Sequence, residues 1–179
     1  EIKTNTSTLG AISKFTSGKL KTKTDLKEKS AEYQIPVYGG NGINGYTDDV
    51  LLEVKTVIVG RVGEYCGATY FTNSPVWITD NALYTKEISN EIVPEYFYCL
   101  VKSLNLNQYK SQSGQPLINQ GVWGALSIKY PNKDSQTKIA RLYEQLEKLK
   151  QDIHKKQKSY ATLRNNILCK ELGEQHDRI

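Results

Sequence analysis

The sequence predicts an α+β protein: a strand-rich domain, residues 1–131, followed by one long, coiled-coil-forming C-terminal helix, residues 132–179. Two observations lead to this prediction. Before Pro131, short apolar or β-branched runs alternate with turns of Gly, Asn and Ser. After Pro131, no Pro or Gly occurs until Gly173, and Lys, Glu, Gln, Leu and Ile dominate. A chain of 179 residues has room for one such domain and an appendage.

The first domain is expected to contain several short strands, which are the runs Ile35–Tyr38, Val50–Val54, Thr56–Val59, Ala68–Phe71, Val76–Thr79 and Leu126–Lys129. The turn residues Glu64 to Gly67 separate two of these runs, so Thr56–Phe71 is predicted to form a hairpin or a tight strand connection. A helix is predicted at Pro94–Lys102, because Pro94 suits a first helical turn and apolar residues recur on one face.

The last part of the chain carries a heptad pattern that predicts a helix–helix seam. Its members follow a 3-4-3-4 spacing and are Ile139, Leu142, Leu146, Leu149, Ile153, Lys156, Tyr160, Leu163 and Ile167. A helix over Asp134–Leu172 would be roughly 55–60 Å long, longer than its own domain is wide, so part of the seam requires a partner. The alternative is a stripe that packs on the strand domain, but a strict seam is narrower than the face a globular helix buries.

Charge is segregated along the sequence. The net charge is +5, yet residues 1–29 carry seven lysines against three acids, and residues 133–179 carry eleven basic residues against seven acids. Two basic ends around an acidic middle favour a polyanionic partner over ordinary solvated lysines. Three cysteines without a CxxC pair indicate a reducing cytoplasm. No apolar run approaches the roughly 20 residues that span a bilayer, so no membrane partner is expected.

Candidate catalytic and metal-binding patterns are weak. Gly40 to Gly45 satisfies G-x-G-x-x-G, but no helix is predicted after it, so a Gly/Asn-rich turn is favoured over a dinucleotide site. Neither His154 nor His176 has a carboxylate, Cys or Ser at a spacing that would place a base beside a nucleophile or complete the coordination of a metal ion. Asp48-Asp49 is a carboxylate pair better suited to a turn or to solvent. We therefore expect no catalytic residues, no metal site and no enzymatic activity in the chain alone.

Nucleic acid is the ligand that the polar residues favour. Lys19, Lys21 and Lys23 alternate with other residues, so an extended backbone would place three ammonium groups on one side at about 6.6 Å intervals, close to the spacing of phosphates. Loop residues of the types that read base edges or brace phosphates complete the predicted DNA-binding set, which is Lys19, Lys21, Lys23, Tyr38, Asn41, Asn44, Arg61, Tyr65, Ser113 and Gln115.

An ordered set of motifs covers nearly the whole chain. It comprises the segments 9–12, 16–19, 35–46, 57–63 with Gly67, 80–82, 113–119, and Tyr130-Pro131 followed by Gln136, Lys138, Ile139 and Ala140. In this order the motifs resemble one half of a type I restriction–modification specificity subunit, with one target recognition domain and one spacer helix. Ser135 departs from the family, which usually has Glu there, and the length departs from full subunits, which have two recognition domains and two helices.

The resemblance implies a non-catalytic DNA-recognition subunit. In the family, the recognition domain enters the major groove of double-stranded DNA and reads one half of a split target. The helices pair antiparallel and dock the DNA methyltransferase (modification) subunit. S-adenosylmethionine, ATP and Mg belong to partner subunits, so no cofactor is expected in this chain, and a restriction subunit is a further candidate partner. The single helix predicts a homodimer.

Two other functions fit the sequence. One alternative to a type I specificity subunit is a resemblance to the recognition module of a single-chain restriction–methylation enzyme. In that case the methyltransferase would lie upstream in the same polypeptide. From another class, a non-DNA coiled-coil scaffold would use the helix and the strand domain to bind proteins. Absence of a salt-dependent interaction with duplex DNA would favour the scaffold.

Overall fold

A computed structural model describes residues 3–72, 75–109 and 120–176 and confirms the α+β class. The strands are β1 (Thr4–Thr8), β2 (Ser13–Ser17), β3 (Ile35–Gly39), β4 (Gly42–Thr47), β5 (Val57–Gly60), β6 (Thr69–Phe71), β7 (Trp77–Ile78), β8 (Ala82–Ile88) and β9 (Ser127–Pro131). The helices are α1 (Leu9–Ile12), α2 (Pro94–Ser103), α3 (Gln120–Gly124) and α4 (Lys133–His176). The chain divides into two compact units, residues 1–140 and 141–179.

Three sheets build the first unit. An antiparallel sheet has the order β2-β8-β5-β6, a second sheet has the order β4-β3-β7, and β1 pairs with β9. In the second sheet, β3 is antiparallel to β4 and parallel to β7. The antiparallel pairing of β5 with β6 confirms the predicted hairpin.

Strand β5 separates two apolar clusters. Val57 and Val59 belong to the larger cluster, which includes Phe97 of α2, whereas Ile58 belongs to a smaller cluster with Ile78. This division follows from the two-residue period of a strand, which sends alternate side chains to opposite faces. All four residues of β5 are buried, as expected of a strand covered on both faces.

Helix α2 is confirmed where it was predicted. Pro94 occupies the first turn, where its missing N–H costs no hydrogen bond. Tyr96, Phe97 and Val101 are buried in the larger cluster, and Leu100 packs against its edge.

The strand predicted at Val50–Val54 is wrong. Only Leu52 forms a β-bridge there, to Val76, and the Val54 side chain is well exposed. The segment is apolar in composition but has no neighbouring strand along its length, so no ladder forms. Four strands were not predicted, namely β1, β2, β4 and β8, together with the short helices α1 and α3.

Helix α4 begins with a buried polar anchor. Asn132 caps the helix by accepting a hydrogen bond from the Ser135 backbone N–H, 3.0 Å. The Gln136 side chain is fully buried. Its Oε1 accepts from the Val93 N–H at 2.8 Å, and its Nε2 donates to the carbonyls of Glu91 and Pro131 at 3.0 and 2.8 Å. One side chain thereby joins the start of α4 to the segment before α2.

Residues 141–176 of α4 form the second compact unit and carry most of the predicted seam. The apolar side chains of the seam are all exposed. Ile139 is the least exposed, at 37%, and Tyr160 the most, at 69%. Lys156 is exposed as well. Among the residues that the structure describes, none of the helices has the length and apolar composition of a membrane span.

We predict that Gln136→Leu destabilises the first unit by about 2–4 kcal/mol, because it removes three hydrogen bonds from a fully buried side chain and leaves the Pro131 carbonyl and the partly buried Val93 N–H without that partner. Thermal or urea unfolding of the variant measures the loss. Lys138→Gln, an exposed change two residues away, is the matched control and should leave the midpoint unchanged. Equal stability of the two variants would contradict the anchoring role.

Candidate nucleic-acid interface

Residues 19–29, which we call the basic segment, are attached to both edges of the β4-β3-β7 sheet. At the β7 edge, the Lys19 N–H donates to the Ile78 carbonyl at 2.9 Å. At the β4 edge, Lys27 and Tyr46 exchange two backbone hydrogen bonds, 3.0 and 2.9 Å. The segment therefore crosses the sheet.

The face that the basic segment crosses is set by strand register. Trp77, Val37 and Gly45 lie opposite one another on the three strands and so share a face. Lys21 lies over the Trp77 ring, and Leu26 lies 3.0 Å from where a Cβ on Gly45 would be. Val37, between them, is fully buried.

The extended conformation that would line up Lys19, Lys21 and Lys23 is not continued at Lys23. Lys23–Asp25 form a 3-10 turn, in which the Asp25 carboxylate accepts from the Thr22 N–H at 2.8 Å and from the Thr22 hydroxyl at 2.6 Å. These hydrogen bonds to the charged form lower the pKa of Asp25. The local capping interaction replaces the regular alternation that the spacing predicted.

The three lysines consequently have different environments. The Lys21 ammonium forms an ion pair with Asp49 at 2.5 Å and lies 4.1 Å from the centre of the Trp77 ring. Its side chain is only 7% exposed. Lys19 and Lys23 are exposed, as are Lys27 and Lys29 farther along the basic segment.

Asn44 lies in a β-bulge of the β3–β4 hairpin. Val37 is opposite Gly45, but the next residue, Tyr38, is opposite Ile43, so Asn44 is the extra residue. A bulge bends its strand and redirects the side chain. The Asn44 amide lies across Gly39, where an added Cβ would overlap its Nδ2. Asn41, in the turn of the same hairpin, is exposed.

Three glycines, Gly18, Gly40 and Gly60, lie where separate backbone segments approach one another closely, and we call them the glycine junction. A Cβ on Gly18 would collide with the carbonyls of Ile78 and Thr79, and one on Gly60 would collide with those of Tyr65 and Gly40. A Cβ on Gly40 would lie 3.3 Å from the Asn81 carbonyl. The approach of backbone to backbone explains why glycine is required here.

Arg61 joins two segments at this junction. Its Nη1 donates to the Ser17 hydroxyl at 3.0 Å, and its backbone N–H donates to the Asn81 carbonyl at 3.0 Å. Tyr65, in the following turn, is 50% exposed. The structure thus brings Arg61 close to residues that the sequence did not associate with it.

Tyr38 is the most enclosed of the predicted aromatic contacts. It is half-buried, and its ring centre lies 6.0 Å from that of Tyr70. Burial raises the pKa of Tyr38, with a smaller contribution from Tyr46. The phenol therefore remains a neutral hydrogen-bonding group at physiological pH.

The predicted contacts Ser113 and Gln115 lie outside the described residues. Within the ranges that the structure describes, no three His, Cys, Asp or Glu side chains are grouped as metal ligands would be. Sequence reasoning missed Ser17, Asp49 and Trp77 as partners of the predicted residues. No local signal marks them, because each partner is distant in sequence.

Comparisons with known proteins identify the family of the chain. The family model described as the type I restriction modification DNA specificity domain matches residues 1–162. The chain belongs to this family. It is 28% identical over 154 residues to the type I restriction enzyme EcoprrI specificity subunit of Escherichia coli, covering 86% of this chain and 38% of that protein.

Solved structures support the fold. The type I restriction–modification S subunit from M. genitalium superposes with a TM-score of 0.69 at 24% identity, covering 89% of this chain and 43% of that one. The HsdS subunit from Thermoanaerobacter tengcongensis gives 0.58 at 13% identity, covering 82% and 38%. The chain therefore spans less than half the length of each of these relatives.

We predict that Gly18→Ala destabilises the first unit by about 3 kcal/mol, because its Cβ meets two carbonyls that cannot move without shifting β7. Gly124→Ala is the control, since its Cβ would have only Gly10 Cα nearby, at 3.8 Å. Thermal unfolding compares the two variants. A Gly18→Ala midpoint equal to that of the control would show that the junction is not tightly packed.

Proposed function

We propose that this chain recognises one half of a bipartite target in double-stranded DNA, as the specificity component of a type I restriction–modification complex. The observation that carries the proposal is the family match over residues 1–162, which includes the strand domain and the first two thirds of α4. The basic segment and the β3–β4 hairpin share one sheet, so phosphate-binding and base-reading groups would have a common support.

Two kinds of contact follow from the geometry. Exposed Lys19 and Lys23 are suited to phosphates, which they would contact whatever the sequence. Asn41 and Asn44 carry amides, the group that pairs with adenine edges in the major groove. Arg61 and Tyr65 extend the candidate set beside the junction, with Tyr38, Ser113 and Gln115 as predicted further contacts.

In this proposal the chain itself does no chemistry. A DNA methyltransferase subunit docks through α4, and S-adenosylmethionine, ATP and Mg are bound by the methyltransferase and restriction subunits. Recognition takes place in the cytoplasm, where DNA and these subunits are found together. The M. genitalium and T. tengcongensis proteins support the fold of such a subunit.

A second copy of the chain would complete the helix seam. Between residues 141 and 167, the seam contains seven apolar side chains (Leu, Ile or Tyr). All seven are well exposed in a single copy. Apolar side chains repeated at heptad spacing are stabilised when a second helix covers them. An antiparallel pair would place two recognition domains at opposite ends and predict a target with two-fold symmetry.

We predict that selection from a random duplex library, with the chain alone and with its methyltransferase subunit, enriches a split symmetric motif. Lys19→Gln should weaken binding on all sequences and reduce the slope of log K against log salt by about 0.9. Asn44→Ala should instead lose discrimination at one base pair, by about 1–3 kcal/mol.

The Gly39→Ala variant provides an internal check on Asn44. Its Cβ overlaps only the end of the Asn44 side chain, so it should displace the amide and relax the same base pair. Equal losses on all sequences for Asn44→Ala would rule out base reading by this residue. No enrichment and no salt-dependent binding in either preparation would overturn the proposed function and favour the protein scaffold.

We predict that Leu146→Glu with Ile153→Glu converts a dimer into a monomer in light scattering at micromolar concentration, because it places charges on the seam. Gln151→Glu adds a carboxylate at an exposed position outside the seam and should leave the dimer intact. A wild-type chain that is monomeric would contradict pairing between copies.

A further inference from the structure

Lys21 is held more firmly than any other lysine of the basic segment. Its ammonium contacts the Asp49 carboxylate at 2.5 Å and the Trp77 ring at 4.1 Å, and its side chain is only 7% exposed. Trp77 is tied to the same segment a second time, because its Nε1 donates to the Lys19 carbonyl at 3.4 Å. Lys21 is therefore bound to one residue beside the sheet and to one residue of β7.

The charge of Lys21 is already paired within the protein. A phosphate that approached it would have to displace Asp49 and draw the ammonium from the indole face, losing both interactions. Lys19 and Lys23 lie two residues to either side and are exposed. Lys23 also begins the 3-10 turn that Asp25 and Thr22 cap.

We infer that Lys21 is a positioning residue: it anchors the basic segment to the sheet and holds Lys19 and Lys23 in place for phosphates, without contacting DNA itself. The inference rests on the proposed function, since it assumes that the exposed lysines bind a polyanion. It revises the predicted set of DNA contacts: Lys19 and Lys23 remain phosphate contacts, whereas Lys21 holds the basic segment on the sheet.

The physical basis is the entropy cost of ordering the loop backbone that carries Lys19 and Lys23. Between the attachment at Ile78 and the 3-10 turn at Lys23–Asp25, Lys21 provides the contacts that tie the backbone of the segment to β7 and to Asp49. Without them, the backbone around Lys19 and Lys23 would have to be ordered when DNA binds. Each backbone residue ordered only on binding weakens affinity by roughly 5- to 30-fold.

The salt dependence of binding distinguishes positioning from contact. Lys21→Met keeps the aliphatic packing and removes the charge. Fluorescence anisotropy of the full chain with a short random-sequence duplex, over a series of NaCl concentrations, should show weaker binding but nearly the wild-type slope. Lys19→Met is the matched variant and should lower the slope by about 0.9, because one counterion fewer is released. Lys21→Arg should restore affinity, since it retains both interactions.

For Asp49→Asn, the positioning role and simple electrostatics predict opposite changes in DNA affinity. It removes a negative charge and frees Lys21, so electrostatics alone predicts tighter binding. Positioning predicts weaker binding. Asp48→Asn makes the same charge change at a neighbouring exposed residue without an ion pair to the basic segment among the described residues, and it should bind as tightly as wild type or tighter. Circular dichroism at the assay temperature confirms that each variant is folded.

The outcomes separate the two proposals. A Lys21→Met slope reduced as far as that of Lys19→Met, or tighter binding by Asp49→Asn, would overturn the positioning role and leave DNA recognition standing. A wild-type chain without salt-dependent duplex binding would overturn the proposed function and this inference together. Should Lys21→Met fail to fold, the exposed Asp49→Asn substitution still decides the question.

Discussion

Burial of β5 on both faces is the constraint on which the first unit depends. Val57 and Val59 fill one apolar cluster and Ile58 fills the other, so the sheets and helices on each side are packed against a common strand. The strand ends at Gly60, where the carbonyls of Tyr65 and Gly40 come too close for a Cβ. The glycine junction, where Arg61 contacts Ser17 and Asn81, is thus built directly onto this buried strand.

The strands that the sequence revealed are those whose own residues are apolar. Val57 to Val59 is an uninterrupted run, as strands buried on two faces usually are. By contrast, β1 is Thr4–Thr8, mostly exposed, and its place is decided by pairing with β9, more than a hundred residues later. The Val50–Val54 error has the same origin, because composition indicates a strand but only a pairing partner creates one.

For the candidate site, too, the sequence predicted local features but not those that depend on distant residues. Glycines, asparagines and lysines were visible in the sequence as residue types. Their roles were not, because Asn44 is redirected by a one-residue register shift, and Lys21 is paired with Asp49, 28 residues away. A β-bulge and an ion pair both depend on residues that are distant in sequence. The alternation of Lys19, Lys21 and Lys23 along the chain therefore could not predict either of them. The long helix was predictable because its periodicity is local.

Affinity and base reading, on the proposed function, rest on different elements of one sheet. The basic segment crosses the face that carries Trp77 and Val37, whereas Asn44 and Gly39 belong to the hairpin of β3 and β4. Since both are fixed to the same strands, a phosphate contact by Lys19 would set the register in which Asn44 meets a base edge. A change at Asn44 would then alter the preferred base and leave the lysines in place, which lets target sequence vary while affinity is retained.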